Sequence, residues 1–405
     1  MIALKGGKVV TVTNGTFENG VVLVEDGKIK AVGAADAVSI PEGAQVVDVT
    51  GKWVTPGLID CHTHISTFSE PTPRPNVGDG NEITDPITAH LRAIDSINPY
   101  DIAIAAAREA GFTTCYTGPG SANVIGGTFA ALKTYGKTLD EAVINPEICM
   151  KTALGENPKF AYGKNRNKAP ATRMMSAAIF REQLMKARDY RAKWLEHKAK
   201  LDAGEEAGEF AYDLAMHSLM RVFDGMTVKI HCHQADDIMT AIRISEEFGL
   251  RYTLDHCTEG YLIPEKLKEH NCRVIIGPIF GGKSKYELKH KSMDAGRILE
   301  ENGIEFSIMT DNPVIPMEGL LMQLALLHKH GMSRETALKA VTINAARNVD
   351  LDGRLGSLEP GKDADIVIWN VDPLDTMSEA GVVIIDGRVR YEKKEEEIDV
   401  DYKGL

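Results

Sequence analysis

Two histidines one residue apart, His62 and His64, close the stretch GLIDCHTHIS (57–66). They follow an apolar run, WVTPGLID, that has the texture of a buried strand. Alternate residues of a strand face the same side, so a strand ending in His-x-His aims two imidazoles at one point. That is the arrangement a divalent cation needs. Asp60, just upstream, is a candidate to orient one ring as an outer partner. An isolated His-x-His can equally be one surface and one core histidine, so the remaining donors have to come from elsewhere in the chain.

Their positions follow from the element pattern. From about 53 to 350, short β-rich runs alternate with helix-period segments such as YDIAIAAAREAG, ADDIMTAIRISEEFG and MSRETALKAVTINAARNV. Repeated strand-then-helix over this length predicts a parallel (β/α)8 barrel. Seven strands are legible: WVTPGLID, FTTCYTG, EICMKTAL, TVKIHCH, RYTLDHC, CRVIIGP and EFSIMTD. The missing second strand is expected near NEITDPITAHLRAI. Barrel chemistry sits at the C-terminal strand ends, and these carry His62 and His64, Lys151, His231 and His233, His256, and Asp311. Histidines at three separate strand ends form a far more specific pattern than any single motif.

Residues 3–52 alternate apolar and polar, punctuated by Asn14-Gly15, Asn19-Gly20 and Asp26-Gly27, a hairpin signature. The same texture returns in DADIVIWNVDP and GVVIIDGRVRYE, with a turn at Asp386-Gly387. The expected division is therefore 1–52 and 351–405 as two parts of one small β-domain, flanking a barrel over 53–350.

VTPGLIDCHTHI, the flanking β-segments and the ending GKDADIVIWNVDP together resemble the amidohydrolase superfamily, in the branch of imidazolonepropionase and metal-dependent prolidases. The resemblance spans essentially the whole chain. It implies a distorted (β/α)8 TIM barrel beside a β-sandwich formed by both chain termini. It also implies a divalent metal centre, with one or two ions per chain, that activates water against an amide-type C–N bond. Zn is the first choice, with Mn, Fe, Co or Ni open. His62 and His64 match the first-strand ligand pair, His231 the fifth-strand ligand, and His256 the sixth-strand histidine. Lys151, in CMKTALG, resembles the fourth-strand lysine that two-metal members carry as a carbamate, and Glu156 is the fallback bridging carboxylate. Asp311, in SIMTDNPV, matches the eighth-strand aspartate that ligates metal and moves the proton. His233 shares the face of His231 and is assigned to substrate. Gln234 stands where deaminase members have a glutamate; an amide cannot act as acid or base near neutral pH, so Gln234 is assigned to substrate binding with His233.

The binuclear hydrolase is the first reading. A mononuclear imidazolonepropionase-like hydrolase of a cyclic amide is the second. Deamination is weakened by Gln234, and a catalytically dead scaffold predicts lost ligands that this chain retains. Around the site, the glycine-rich stretch 118–136 reads as a substrate loop, offering Lys133 and Tyr135. Residues 159–200 are locally basic, opposed only by Glu182, Asp189 and Glu196, and read as a loop followed by a long amphipathic helix. Solvation is the ordinary role of such a face; the sharper expectation is that Arg166 or Arg173 binds a substrate carboxylate.

The 405 residues carry a net charge of −12, which argues against nucleic-acid binding. No apolar run approaches a membrane span, and MIALKGGKVVTVT lacks a signal peptide's apolar core, so a cytoplasmic location is expected. The six cysteines form no CxxC pair and are read as reduced, packed thiols. A small-molecule substrate is the expected partner, and homo-oligomerisation stays open. The acidic stretch EKKEEEIDVDY (392–402) is read as a solvated tail.

Overall fold

The computed structural model describes residues 1–71 and 78–394. The first strands are β1 (Ile2–Val10), β2 (Thr16–Glu25), β3 (Lys28–Ala34), β4 (Gln45–Asp48) and β5 (Trp53–Pro56). The barrel follows as β6 (Leu58–Thr63), β7 (Phe112–Thr117), β8 (Ile125–Lys133), β9 (Val143–Ala153), β10 (Thr227–Cys232), β11 (Tyr252–His256), β12 (Arg273–Ile276) and β13 (Phe306–Ile308). The chain returns with β14 (Ile366–Trp369), β15 (Ala380–Ile385) and β16 (Arg388–Glu392).

Strands from both chain ends join in one sheet, ordered β16-β15-β14-β5-β1-β2-β3, with β4 paired to β1. The Asp-Gly turns are where the sequence puts them: Asp26 and Gly27, and Asp386 and Gly387, all take positive φ between antiparallel strands. Asn19-Gly20 is not a turn. Gly20 lies inside β2, where a Cβ would stand 2.4 Å from the Val9 side chain, so glycine there permits close approach of β1. WVTPGLID also divides. Trp53–Pro56 pairs in the terminal sheet and Leu58–Thr63 in the barrel, passing at Gly57, where a Cβ would meet the Thr113 side chain at 2.1 Å.

The barrel sheet runs in the order β6 to β13, each strand parallel to its neighbours except β8, which is antiparallel to both β7 and β9. The expected strand near NEITDPITAHLRAI does not form; that segment meets β8 through isolated bridges at Ile87 and Arg92, with Thr88 Oγ1 donating to Ile125 O and Gly126 O. FTTCYT is thus the second strand, and the third, Ile125–Lys133, falls inside the stretch read as a substrate loop. Its sequence, IGGTFAALK, is buried at every position, so it shows no alternation, and its two glycines resemble a loop. The open side of the sheet is bridged just beyond the strand ends. Asp311 N donates to His62 O at 3.2 Å and His64 N to Asn312 O at 2.8 Å.

The helix predicted in the basic region spans Arg173–Asp202, capped by Thr172, whose hydroxyl accepts from Met175 N. Its inward residues Ala177, Phe180, Leu184 and Ala187 are buried, while the basic face forms surface pairs such as Lys186–Glu182 and Arg191–Asp224. This is the solvated-face reading. All six cysteines are free, five of them buried. Among the described residues no helix is long and apolar enough to cross a membrane. Most of the acidic tail, from 395 onward, lies outside the described residues.

One buried ion cluster ties the barrel to the terminal sheet. Lys133, at the end of β8 remote from Lys151, puts its Nζ 2.9 Å from Asp363, 2.6 Å from Asp365 and 3.2 Å from Asp386. Lys28 and Arg354 also hold Asp363. This corrects the expectation of Lys133 as a substrate contact, and gives GKDAD a structural role. Burial pushes the Asp363 carboxyl up, but Lys133, Lys28 and Arg354 outweigh it and leave it below its ordinary value. Removing one partner of a buried network costs roughly 3–5 kcal/mol, so Lys133→Ala should lower the urea midpoint accordingly. The Asp363 contribution is complete above the unfolded carboxylate value of about 4 and is lost as pH falls through the lower folded value. Burial keeps Asp365 above its ordinary value even beside Lys133, and Lys133→Ala lifts both folded carboxyls while leaving the unfolded chain unchanged, so the gap between wild type and the variant should be widest near neutral pH and narrow progressively as pH falls through the acid range.

Candidate active site

The strand ends deliver five imidazoles to one floor. His62 closes β6 and His64 follows it; His231 lies in β10, His233 just beyond it, and His256 ends β11. All five are buried. Asp311 follows β13, and His256 and Asp311 both hold positive φ, at 72° and 56°. For non-glycine residues this conformation costs of order 1–3 kcal/mol and is tolerated where the surroundings over-determine it, as at functional sites.

The ring nitrogens are sorted. His62 Nδ1 is 2.6 Å from Asp255 Oδ2, His64 Nδ1 is 2.8 Å from Gly118 O, and His256 Nδ1 is 2.8 Å from Gly277 O. His233 Nδ1 is 2.7 Å from Thr258 Oγ1. A carbonyl or carboxylate only accepts, so His62, His64 and His256 each carry a proton on Nδ1, and in the neutral rings of His62 and His256 this leaves an Nε2 lone pair facing the interior. That is the tautomer a metal ligand needs. Burial holds His62, His231, His233 and His256 well below the usual imidazole range, hence neutral.

The expected orienting role of Asp60 is corrected. It accepts from the backbone N of His62 and from Thr310 N and Oγ1, tying β6 to the chain after β13, and burial raises its pKa to about 7. The ring partner is Asp255 from β11, which sequence reading missed. Asp255 also pairs with Lys229 Nζ at 2.9 Å.

Lys229 and Lys151 are register partners on β10 and β9, both fully buried, beside the same Phe129 ring. Their fates differ. Burial pushes Lys229 down, but contact with Asp255 more than restores it, so it stays an ammonium. Lys151 has no such contact; burial lowers its pKa to about 8, and its Nζ lies 2.9 Å from His62 Nε2. Part of its population is a neutral amine near physiological pH, the form that can add CO2.

Two donor groups form. His62, His64 and Asp311 bring ligand atoms within 4.8 Å of one another, as do His231, His233 and His256. Asp311 Oδ1 lies 3.1 Å from His64 Nε2 and 3.6 Å from His62 Nε2. Burial raises the Asp311 carboxyl, but His256, His64 and Lys151 outweigh it and hold it below its ordinary value. The Nε2 atoms of His62 and His64 face one carboxylate oxygen, an arrangement that leaves room for a cation among the three. Asp311 Oδ1 is moreover buried without a hydrogen bond. The donor set therefore fits a divalent metal on its own geometry.

These residues floor a cavity of about 620 Å³, walled by Phe68, Phe280, Leu288, Val314 and Ile315, with Lys285 and Lys291 also facing in. Glu287 approaches the fifth-strand histidines from the loop after β12. It has no motif; the only signal was one acid among the lysines of KSKYELKHK.

Several expected contacts lie elsewhere. Arg173 is paired with Asp236 and with Asp237 Oδ2 at 3.5 Å and lines a separate depression, because the helix it opens lies outside the barrel mouth. Tyr135 sits beyond β8 under Arg390, 3.8 Å from the ring centroid, at the other end of the strand. Gln234 caps a helix and is not among the cavity residues. Arg166 donates to Ala161 O. Glu156 and Glu287 exchange backbone-to-carboxylate bonds of 3.0 and 3.4 Å, so Glu156 positions Glu287.

Residues 53–390 match the sequence model of the Amidohydrolase family. The chain belongs to that family. It is 37% identical to a solved amidohydrolase from Thermotoga maritima, with a TM-score of 0.91 and coverage of 97% of this chain and 100% of that one. It is 28% identical over 392 residues to the imidazolonepropionase of Geobacillus kaustophilus, covering 88% of this chain and 85% of that protein. Amidohydrolase tasK of Hapsidospora irregularis is 30% identical over 396 residues; the match covers 92% of this chain but only 40% of that longer protein. This amidohydrolase is thus a hydrolase of carbon–nitrogen bonds in the imidazolonepropionase-like branch, with a TIM-barrel-like fold.

Asp255→Ala would leave Lys229 charged, buried and unpaired. We expect a loss of roughly 3–5 kcal/mol, with much of it recovered in Asp255→Leu combined with Lys229→Met. Urea unfolding of the two single variants and the double would read the coupling; additive losses would contradict it.

Proposed function

We propose that this amidohydrolase hydrolyses an amide-type C–N bond in a small molecule with divalent metal, at a binuclear centre in which carboxylated Lys151 joins the two donor groups. The observation that supports it most directly is the convergence of outward-protonated imidazoles on Asp311. His62, His64 and Asp311 would hold one ion, His231 and His256 a second. Bound there, metal would supply Lewis acidity for the scissile carbonyl and bring the pKa of water towards about 7.

The chain's own groups do the rest. Asp311, kept ionised by its neighbours, accepts the proton of the attacking water and carries it to the leaving nitrogen as the C–N bond breaks. Asp255 fixes the His62 ring, so this ligand costs no reorganisation when substrate arrives. The apolar wall excludes water and binds the body of the substrate. Lys285 and Lys291, rather than Arg173 or Tyr135, are placed to meet an anionic group. Dipeptides, N-acyl amino acids and lactam-type rings bearing a carboxylate are the compounds to screen, and the site fits a cytoplasmic enzyme of small metabolites. Metal choice among Zn, Mn, Fe, Co and Ni is a question for loading experiments.

Metal analysis by ICP-MS on protein grown with Zn or Mn and bicarbonate should return about two ions per chain, and Lys151→Ala should lose at least one of them. A single ion unaffected by that variant would favour the mononuclear alternative. On whichever substrate the screen finds, Asp311→Asn should lower kcat by about 10²- to 10⁴-fold, the usual share of general acid–base catalysis. Arg173→Ala should leave KM within about twofold, since exposed pairs carry little energy; a rise of tenfold would restore Arg173 to the substrate site.

A further inference from the structure

The third-strand and fourth-strand features above leave one buried group unused. Glu287 is almost fully buried, yet its Oε1 makes no hydrogen bond of proper geometry. Its other oxygen accepts from Glu156 N at 3.0 Å, which turns Oε1 towards the fifth-strand histidines. Oε1 stands 3.3 Å from His233 Nε2 and 3.8 Å from His231 Nε2. His233 Nε2 is likewise buried without a hydrogen-bond partner among the described residues, although a carboxylate faces it.

The three rings are arranged around one point. Ring centroids lie 4.7 Å apart for His231 and His233, 4.3 Å for His231 and His256, and 4.4 Å for His233 and His256. His256 donates from Nδ1 to Gly277 O, so its Nε2 is a lone pair; His233 has its Nδ1 engaged by Thr258. The position thus gathers three imidazoles with ligand atoms within 4.8 Å of one another and a carboxylate oxygen beside two of them, donor types that suit a borderline divalent ion such as Zn²⁺, Co²⁺ or Ni²⁺. Among the described residues the cation in contact with Oε1 is Lys285 Nζ, at 2.7 Å, which is itself shared with Asn157 Oδ1 at 3.0 Å. Lys285 reaches in from the cavity side and is a quarter exposed, so it can withdraw when a divalent ion takes the carboxylate.

We propose that His231, His233, His256 and Glu287 form a four-ligand metal position that is complete without Lys151. This assigns His233 to metal rather than substrate and adds Glu287, a loop residue, as the anionic ligand. The inference rests on the metal-dependent reading above and specifies where its second ion is held.

The test is Co²⁺ titration of the full-length apoprotein, followed by visible absorption and by ICP-MS after desalting, with far-UV circular dichroism as the folding control. Lys151→Ala should retain about one ion per chain. Adding Glu287→Gln or His233→Asn to that variant should weaken the remaining Co²⁺ by at least about tenfold and change its absorption bands. Glu287→Gln preserves shape, and His233→Asn is a separate route should one variant fail to fold. If wild type binds two ions and Lys151→Ala binds none, this inference falls while the binuclear reading stands. Retention of the ion within twofold in both double variants would likewise overturn it, placing the ion at His62, His64 and Asp311. A wild type that binds no ion would overturn both.

Discussion

A carboxylate with no solvent contact, Asp255, is the interaction on which the interior of this barrel depends. Its Oδ2 accepts from His62 Nδ1 and pairs with the Lys229 ammonium, and Thr253 Oγ1 donates to its Oδ1 at 2.6 Å. Without it, two lysines would stand as cross-strand neighbours on β9 and β10 with no anion in contact. With it, one lysine is neutralised as a permanent ion pair and the other is left as a desolvated amine. The chemical distinction between Lys229 and Lys151 is therefore made by a residue on a third strand, β11. A buried pair of this kind is weak evidence of net stability; its value here is that it fixes a ring tautomer and a lysine charge state together.

The antiparallel β8 connects that interior to the terminal sheet. At its middle, Phe129 packs edge-on against His62 and His64 and beside both lysines. At its far end, Lys133 is clamped by aspartates of the returning chain. Gly127, with φ of 119°, lies where a Cβ would be 2.4 Å from Leu91 O, so the segment expected to be a strand instead packs on the glycine face of β8. A rigid strand anchored outside the barrel thus sets the height of the aromatic plate beneath the two first-strand histidines. That gives the terminal sheet a physical connection to the site, although none of its residues reaches the cavity.

How much of this could be read from residues alone follows from where the information lies. Strand ends were legible because each short β-rich run is finished by a polar residue, so His62, His64, Lys151, His231, His256 and Asp311 fell into one place. β8 was not legible because its two glycines and small residues imitate a loop, a texture that the equally buried β6 and β10 lack. Arg173 and Tyr135 were chosen from local charge and proximity in sequence. Their positions depend on which way a helix or strand leaves the barrel, and local pattern does not encode that. Asp255 and Glu287 were missed for opposite reasons. Asp255 sits one residue before a conspicuous histidine and was overshadowed by it, whereas Glu287 lies in a lysine-rich loop where an acid looks like ordinary surface.

Carboxylates, rather than nitrogens, set how many divalent ions this floor can hold. The imidazoles contribute no negative charge, and the Asp255 anion is already paired with Lys229. What remains is Asp311, and Glu287 once Lys285 withdraws, which together balance one divalent ion. A second ion needs further negative charge from the chain, and the one buried group able to change from cationic to anionic without moving backbone is Lys151, by adding CO2 to its amine. On the binuclear proposal, the depressed basicity of Lys151 and the elevated basicity of Lys229 divide the roles: the lysine beside His62 is the one available to become an anion, and its cross-strand neighbour stays an ammonium.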